Sequence, residues 1–253
     1  YLPTPGGLES NIALAQETIK AAAPSHGKPW VIALPPYTLS GCPSTPPEAR
    51  SAAEGSWGPL LRTLMSLAED QGAYVIGSGV EREGSSMYHT AVVASPDNSI
   101  SFYRATHPNA EEMSWASRGD RLQSFDLCHA RLGVMLGDEL AIPEISRCLS
   151  KDGADVQCSL CQPGIHREAP EYIVRERATT NGCYVVVSSG SKDRPAVISG
   201  NLDSRLGQTH AFLSSSEGRW VRMPHDGFDG AWVRNKVRLG RLMEHLYGPL
   251  LVV

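Results

Sequence analysis

Apolar positions along this chain switch repeatedly between helical and strand periods. From Leu8 to Ala23, Ile12, Ala15 and Ile19 recur at helical spacing, with Ser10 and Asn11 near the start and Pro24-Ser-His-Gly27 beyond, which predicts an amphipathic helix. Trp30 to Leu34 is short and continuously apolar, the pattern of a strand buried on both faces, and Pro35-Pro36 ends its ladder. A loop rich in Pro, Ser and Gly follows to about Ser56. Trp57, Leu60, Leu61, Leu64 and Leu67 then line one face of a helix that stops at Gly72. Tyr74 to Val80 reads as the next strand. Tyr88 to Ala94 and Ser99 to Tyr103 flank the turn signal Ser95-Pro-Asp-Asn98 and predict a hairpin.

The second half repeats the mixture. Leu122 to Leu127 and Arg131 to Leu136 read as strands, Pro143 to Lys151 as a helix entered at proline, and Gly153-Ala-Asp-Val156 as the start of another strand. Glu168 to Asn181 is helical with Gly182 at the cap, and Cys183 to Ser188 is an apolar central strand. Gln208 to Ser214, Arg219 to Met223 and Ala231 to Val237 predict later strands, and Arg238 to Leu246 a final helix. Two such halves predict an α/β fold, with mixed sheets of the α+β kind layered with helices, in a single domain over residues 1–253. The chain opens on a loop and a helix, so a first strand of such a fold is expected to be missing.

Composition narrows the partners. A length of 253 residues suits one large core. A formal net charge of -4 and a pI near 6.1 leave no basic stripe, so nucleic acid and membrane surfaces are excluded as expected partners. No run approaches the roughly 18 apolar residues of a membrane helix, and Tyr1-Leu-Pro-Thr-Pro lacks a signal layout, so the expectation is a soluble, cytoplasmic protein.

Cys42, Cys128, Cys148, Cys158, Cys161 and Cys183 are scattered through predicted strands and helices, which fits reduced, packed thiols better than a disulfide framework. Cys158-Ser-Leu-Cys161 has redox and zinc spacing, with His166 nearby. Side chains three apart on a strand face opposite ways, however, and no second such pair completes a zinc set. No metal and no cofactor are expected. Arg175 and Arg177 are offset by Glu168, Glu171 and Glu176 and read as a solvated helix face. Arg234, Lys236 and Arg238 alternate with Val233 and Val237 as one polar strand edge, and Trp232 reads as core or interface.

The chemistry concentrates in Gly133-Val-Met-Leu-Gly-Asp-Glu-Leu-Ala-Ile-Pro-Glu144. An apolar strand stops at Gly137, Asp138 and Glu139, and a helix opens at Pro143, the strand-to-helix turn where an α/β enzyme holds its reactive group. With two other stretches it resembles the nitrilase, or carbon-nitrogen hydrolase, superfamily, whose members build a four-layer α-β-β-α sandwich and use a glutamate base, a lysine and a cysteine nucleophile. The glutamate motif is similar to Leu34-Pro35-Pro36-Tyr37 with Gly41 following, which puts Pro36 at the base. The lysine motif, Tyr-Arg-Lys-x-His, resembles Tyr103-Arg104-Ala105-Thr106-His107, which puts Ala105 at the lysine. In the cysteine motif, Pro143-Glu144 fixes the register and Gly137 stands at the nucleophile.

Asn11, Gly153-Ala154-Asp155 and Arg177-Ala178-x-x-Asn181-Gly182-Cys183-Tyr184-Val185 extend the resemblance over roughly residues 5 to 200; Ser199-Gly200 and Ser216-Glu217-Gly218 echo it only faintly. Glu112, seven residues before Gly119, matches the family's second glutamate, which would orient the lysine and the substrate. The resemblance therefore implies a catalytic set vacated at Pro36, Ala105 and Gly137. Glu112, Asp138, Glu139 and His107 are the possible substitutes, and Tyr37, His107, Glu112, Asp138 and Cys161 the expected ligand pocket. Removing such groups costs orders of magnitude in rate. The expected function is a catalytically inactive domain that binds, regulates or supports. Its partner would be another protein or a second copy, held through the helix Pro143 to Lys151. The alternatives are an amide or nitrile hydrolase with a relocated catalytic set and a sensor of a neutral small molecule in the emptied pocket.

Overall fold

The computed structural model describes residues 7–22, 31–37, 39–55, 58–127, 130–161, 170–189, 197–200 and 208–212. Among these, two sheets form. The first has the order β1 (Val31–Ala33), β2 (Tyr74–Glu83), β3 (Ser86–Ala94), β4 (Ile100–Arg104), with β1 parallel to β2 and the rest antiparallel. In the second, β5 (Ser124–Asp126), β6 (Arg131–Leu136), β7 (Val156–Cys161), β8 (Tyr184–Ser189), β9 (Val197–Gly200) and β10 (Gln208–Phe212) lie side by side in chain order. Strands β6, β7 and β8 are parallel, joined by α4 (Pro143–Lys151) and α5 (Pro170–Asn181), because parallel neighbours need a crossover helix.

Strand parity divides the core into three layers. Ile76, Ala91, Val93 and Tyr103 of the first sheet face Leu132, Val134, Leu136, Val156 and Leu160 of the second. Their neighbours Val75, Val92 and Ala94 point outward against Ile19 of α1 (Leu8–Ala22) and Leu60, Leu61, Leu64 and Leu67 of α3 (Pro59–Gln71). Met135, Val185 and Val187 point the other way against Ile145 and Leu149 of α4 and Val174 and Ala178 of α5. The result is the four-layer α-β-β-α sandwich anticipated from the motifs. Helix α3 ends at Gly72, whose φ of 60° lets its N–H close on Ala68 and Glu69.

Several local readings need correction. The stretch read as loop up to Ser56 contains α2 (Pro46–Ala52): Thr45 caps Glu48, proline opens the first turn, and Glu48 Oε2 accepts from both the Ser44 N–H and the Ser44 hydroxyl. The strand expected over Leu122 to Leu127 shrinks to β5, because Asp152 captures the Ser124 amide at 2.6 Å and its hydroxyl at 2.7 Å. Gly137–Ala141 forms a 3-10 turn, and β9 was not anticipated.

Arg177 is not on a solvated face. It is buried and donates to the carbonyls of Leu140 and Ala141, a use that suits its forked donors. Trp57, Cys128, His166, Pro24–Gly27 and every element expected beyond residue 212, with Trp232, Arg234, Lys236 and Arg238, lie outside the described residues. Among the described residues no helix is long and apolar enough to cross a membrane.

Candidate active site

Three strand ends meet at one edge of the sandwich. Pro36 follows β1 and Gly137 follows β6, at the carboxyl ends of parallel-paired strands, where open α/β sheets place ligands, and Ala105 follows the antiparallel β4. Gly137 has a φ of 56°, a conformation that suits glycine. A Cβ built there would stand 3.5 Å from Glu112 Oε2 and 3.8 Å from Asn109 Nδ2.

Glu112 is the hub near which Pro36, Ala105 and Gly137 lie. It sits in a 3-10 turn, Glu112–Ser114, whose start is closed by Asn109 Oδ1 accepting from the amides of Glu111 and Glu112. Its carboxylate accepts from the Tyr37 hydroxyl at 2.5 Å and from the Asn109 amide at 2.9 Å. His89 Nδ1 lies 2.9 Å from Oε1. The backbone N–H of Ala105 in turn donates to the His89 carbonyl. Pro36 thus reaches Glu112 through its neighbour Tyr37 and Ala105 through His89, and a side chain at position 137 would stand against it.

Burial of a lone carboxylate is strongly unfavourable, and a buried charge requires a partner. Burial alone would push the Glu112 carboxyl up; the charge of His89 and the bonds from Tyr37 and Asn109 outweigh it and hold the group at about 2.

Because the folded value lies below the ordinary 4.5, the stabilisation is fully present above pH 4.5 and is lost as the pH falls toward 2. The expected result is a fall in unfolding free energy of about 3 kcal/mol across that window. Glu112→Gln should lack this component, and urea titrations at a series of pH values would measure both. Identical slopes in the two proteins would contradict the assignment.

The remaining sequence candidates take other places. Glu139 is fully buried, and its carboxylate accepts from the amides of Leu136, Thr106 and His107 and from the hydroxyls of Tyr103 and Thr106, at 2.8 to 3.1 Å. It clamps the loop after β4 to the turn after β6 and is occupied as an acceptor. His107 is half-buried and turns its Nδ1 to the Thr106 hydroxyl at 2.9 Å, so its ring contact is with Thr106 rather than with Asp138.

Asp138 is half-buried beside Cys161, whose thiol is pushed up to about 11 by burial and then by that charge, against a pull down from the Ser159 hydroxyl. Cys158 is pushed up to about 12, again by burial. The two thiols lie in different layers, one between the sheets and one under the helices, as strand parity requires. Neither is a ready thiolate. Among the described residues no group of three or more His, Cys, Asp or Glu is placed to hold a metal.

Two members of this centre escaped the sequence reading. His89 and Ser78 are wholly buried, with Ser78 Oγ 3.0 Å from His89 Nε2. The signal was parity: His89 shares a strand face with Ala91 and Val93, and Ser78 with Ile76, so both polar groups point between the sheets.

Comparison with known proteins agrees with the architecture. The family model described as carbon-nitrogen hydrolase matches residues 3–225. A nitrilase of Pyrococcus abyssi is 33% identical over 135 residues, covering 52% of this chain and 50% of that protein. An (R)-stereoselective amidase of Pseudomonas is 29% identical and is likewise covered over 50% of its length, so the matched part spans about half of these two relatives. The omega-amidase of Homo sapiens is 25% identical over 205 residues, 74% of this chain and 71% of that one. Among solved structures, a carbon-nitrogen hydrolase of Helicobacter pylori superposes with a TM-score of 0.79 at 20% identity, over 97% of this chain and 92% of the other, which is a likeness of fold.

Proposed function

This chain belongs to the carbon-nitrogen hydrolase family, and from that premise we propose that it has lost the family's thiolate chemistry and keeps the fold for binding, as a companion or regulatory subunit. The observation that carries the reading is the turn at Gly137. The position that would present a nucleophile beside Glu112 has no side chain, and the flanking base and lysine positions hold Pro36 and Ala105. A thiol attack needs the nucleophile, a base and an oxyanion donor together.

The binding face in this reading is α4. Ile145 and Leu149 point inward, while Pro143 and Glu144 are exposed and Arg147, Cys148 and Lys151 half-exposed. Arg147 ties the helix to α5 through the Thr180 carbonyl at 3.2 Å, and Tyr172 of α5 is 72% exposed, the kind of side chain that anchors interfaces.

The expected outcome on a panel of amides, nitriles and carbamoyl compounds is no turnover above buffer. Gly137→Cys alone should remain inactive, since a restored thiol still lacks its base and lysine. Turnover abolished by a Cys158→Ala, Cys161→Ala double variant would overturn the inactive reading; turnover lost only in an Asp138 variant would indicate a new catalytic set. A complete nitrilase subunit is expected to co-purify with the chain. A strict monomer at micromolar concentration that binds no such subunit would remove the support for a companion role.

A further inference from the structure

Tyr37 follows the vacated base position directly, and its placement differs from that of an ordinary core tyrosine. Its backbone has a φ of 51°, a left-handed conformation that a tyrosine rarely adopts. Its side chain is fully buried and stacks on the His89 imidazole with ring centroids 4.2 Å apart and an interplanar angle of 16°, while the Trp115 ring meets it edge-on at 6.4 Å. Its hydroxyl donates to Glu112 at 2.5 Å, and its backbone N–H donates to Ser78 Oγ at 3.0 Å. Both ends of the residue are therefore held by the polar groups of the centre, and the ring covers the histidine between them.

From this geometry we propose that Tyr37 is a built-in plug, a phenol of the chain itself that occupies the vacated centre and closes it to other ligands. Pro35 and Pro36 stiffen the approach, and the strain at Tyr37 is held by three contacts to Ser78, His89 and Glu112. The same arrangement keeps a second possibility shut. Ser78 Oγ against His89 Nε2, with Nδ1 toward Glu112, has the polarity of a serine hydrolase relay. Ser78 and His89 are both 0% exposed, with the Tyr37 ring stacked on the imidazole and its N–H on the Ser78 oxygen, so the hydroxyl is closed to an acyl group in this arrangement. The plug also argues against the small-molecule sensor, since the space such a ligand would enter is filled from within.

The proposal rests on the reading that the centre performs no thiolate chemistry, and its test is separate from the amide panel. The full chain is treated with diethyl pyrocarbonate and the modified histidines are mapped by mass. In the wild-type protein His89 should react at least about tenfold more slowly than half-buried His107, as a locked interior group does. In Tyr37→Gly, where glycine accepts the backbone angle, His89 should become reactive. Added p-cresol should restore its protection and raise the melting temperature of this variant alone.

Tyr37→Asn also tolerates the angle and serves with the same expectation if the glycine variant does not fold. Wild-type His89 reacting as fast as His107, or staying protected in a folded Tyr37 variant without p-cresol, would overturn the plug. Labelling of wild-type Ser78 by a fluorophosphonate would do so as well, because it requires an open hydroxyl. Failure of the inactive reading would show instead as turnover on the amide panel with His89 still protected.

Discussion

Glu139→Ala should lower the unfolding free energy by about 4 kcal/mol, among the largest effects available to a single substitution in this chain. The carboxylate is the common acceptor for three backbone amides and two hydroxyls drawn from two loops, and it is fully buried. Its removal leaves those donors without a partner in the interior, and each unsatisfied buried donor costs about 1–3 kcal/mol, moderated where water enters.

Glu139→Gln separates charge from shape. The amide keeps one acceptor for Thr106 and His107 but sets a donor against the Leu136 N–H, so a loss of about 2 kcal/mol is expected. Urea denaturation of both variants is the measurement. An alanine variant within about 1 kcal/mol of wild type would mean that packing, not this carboxylate, holds the two loops together.

His89→Ala should cost about 3 kcal/mol, because it removes the side chain that lies 2.9 Å from the buried Glu112 carboxylate and helps to hold that carboxyl low. Glu112→Ala removes the charge and also the acceptor of the Tyr37 hydroxyl and the Asn109 amide, so its cost is expected to be similar or larger. The double variant should be less unstable than the sum by about 2 kcal/mol, the coupling between groups in direct contact.

A further arm addresses the inheritance of the site. Ala105→Lys should recover part of the loss in His89→Asn by supplying an ammonium near the buried Glu112 carboxylate, and should do little or harm in the wild-type background. Additive losses in the cycle would show that the contact at 2.9 Å contributes no coupling. No recovery by the lysine would show that an ammonium at position 105 does not replace the imidazole in this fold.

These predictions differ in how far they were legible beforehand. The family's motif frames could be read because each is short and its register is set by its immediate neighbours. Pro143-Glu144 counts back to Gly137, and Tyr103-Arg104 counts forward to Ala105. The strands could be read because period-two and continuously apolar runs are local patterns, and β6 from Arg131 to Leu136 agrees with its expected bounds. Helix α2 was missed because its prolines and serines read as loop, although Thr45 and Glu48 carry the start signal.

Arg177 was misjudged for a different reason. A helical arginine flanked by glutamates looks solvated until the turn carbonyls of Leu140 and Ala141 are seen beneath it. Glu139 was legible as a carboxylate at the turn, but its role depended on donors more than thirty positions away in Thr106 and His107.

By itself the amino-acid sequence determined the mixed α/β architecture, which follows from hydrophobic period, and the family, which follows from short motifs of fixed register. Only the tertiary structure decided which side chains meet at the ends of the strands. Tyr37 meets Glu112 across 75 positions of chain, and His89 and Ser78 meet on adjacent strands whose inward faces become polar at the same depth. Such contacts depend on how separate strands end against one another, and an interior carboxylate selects whatever donors that packing brings within reach.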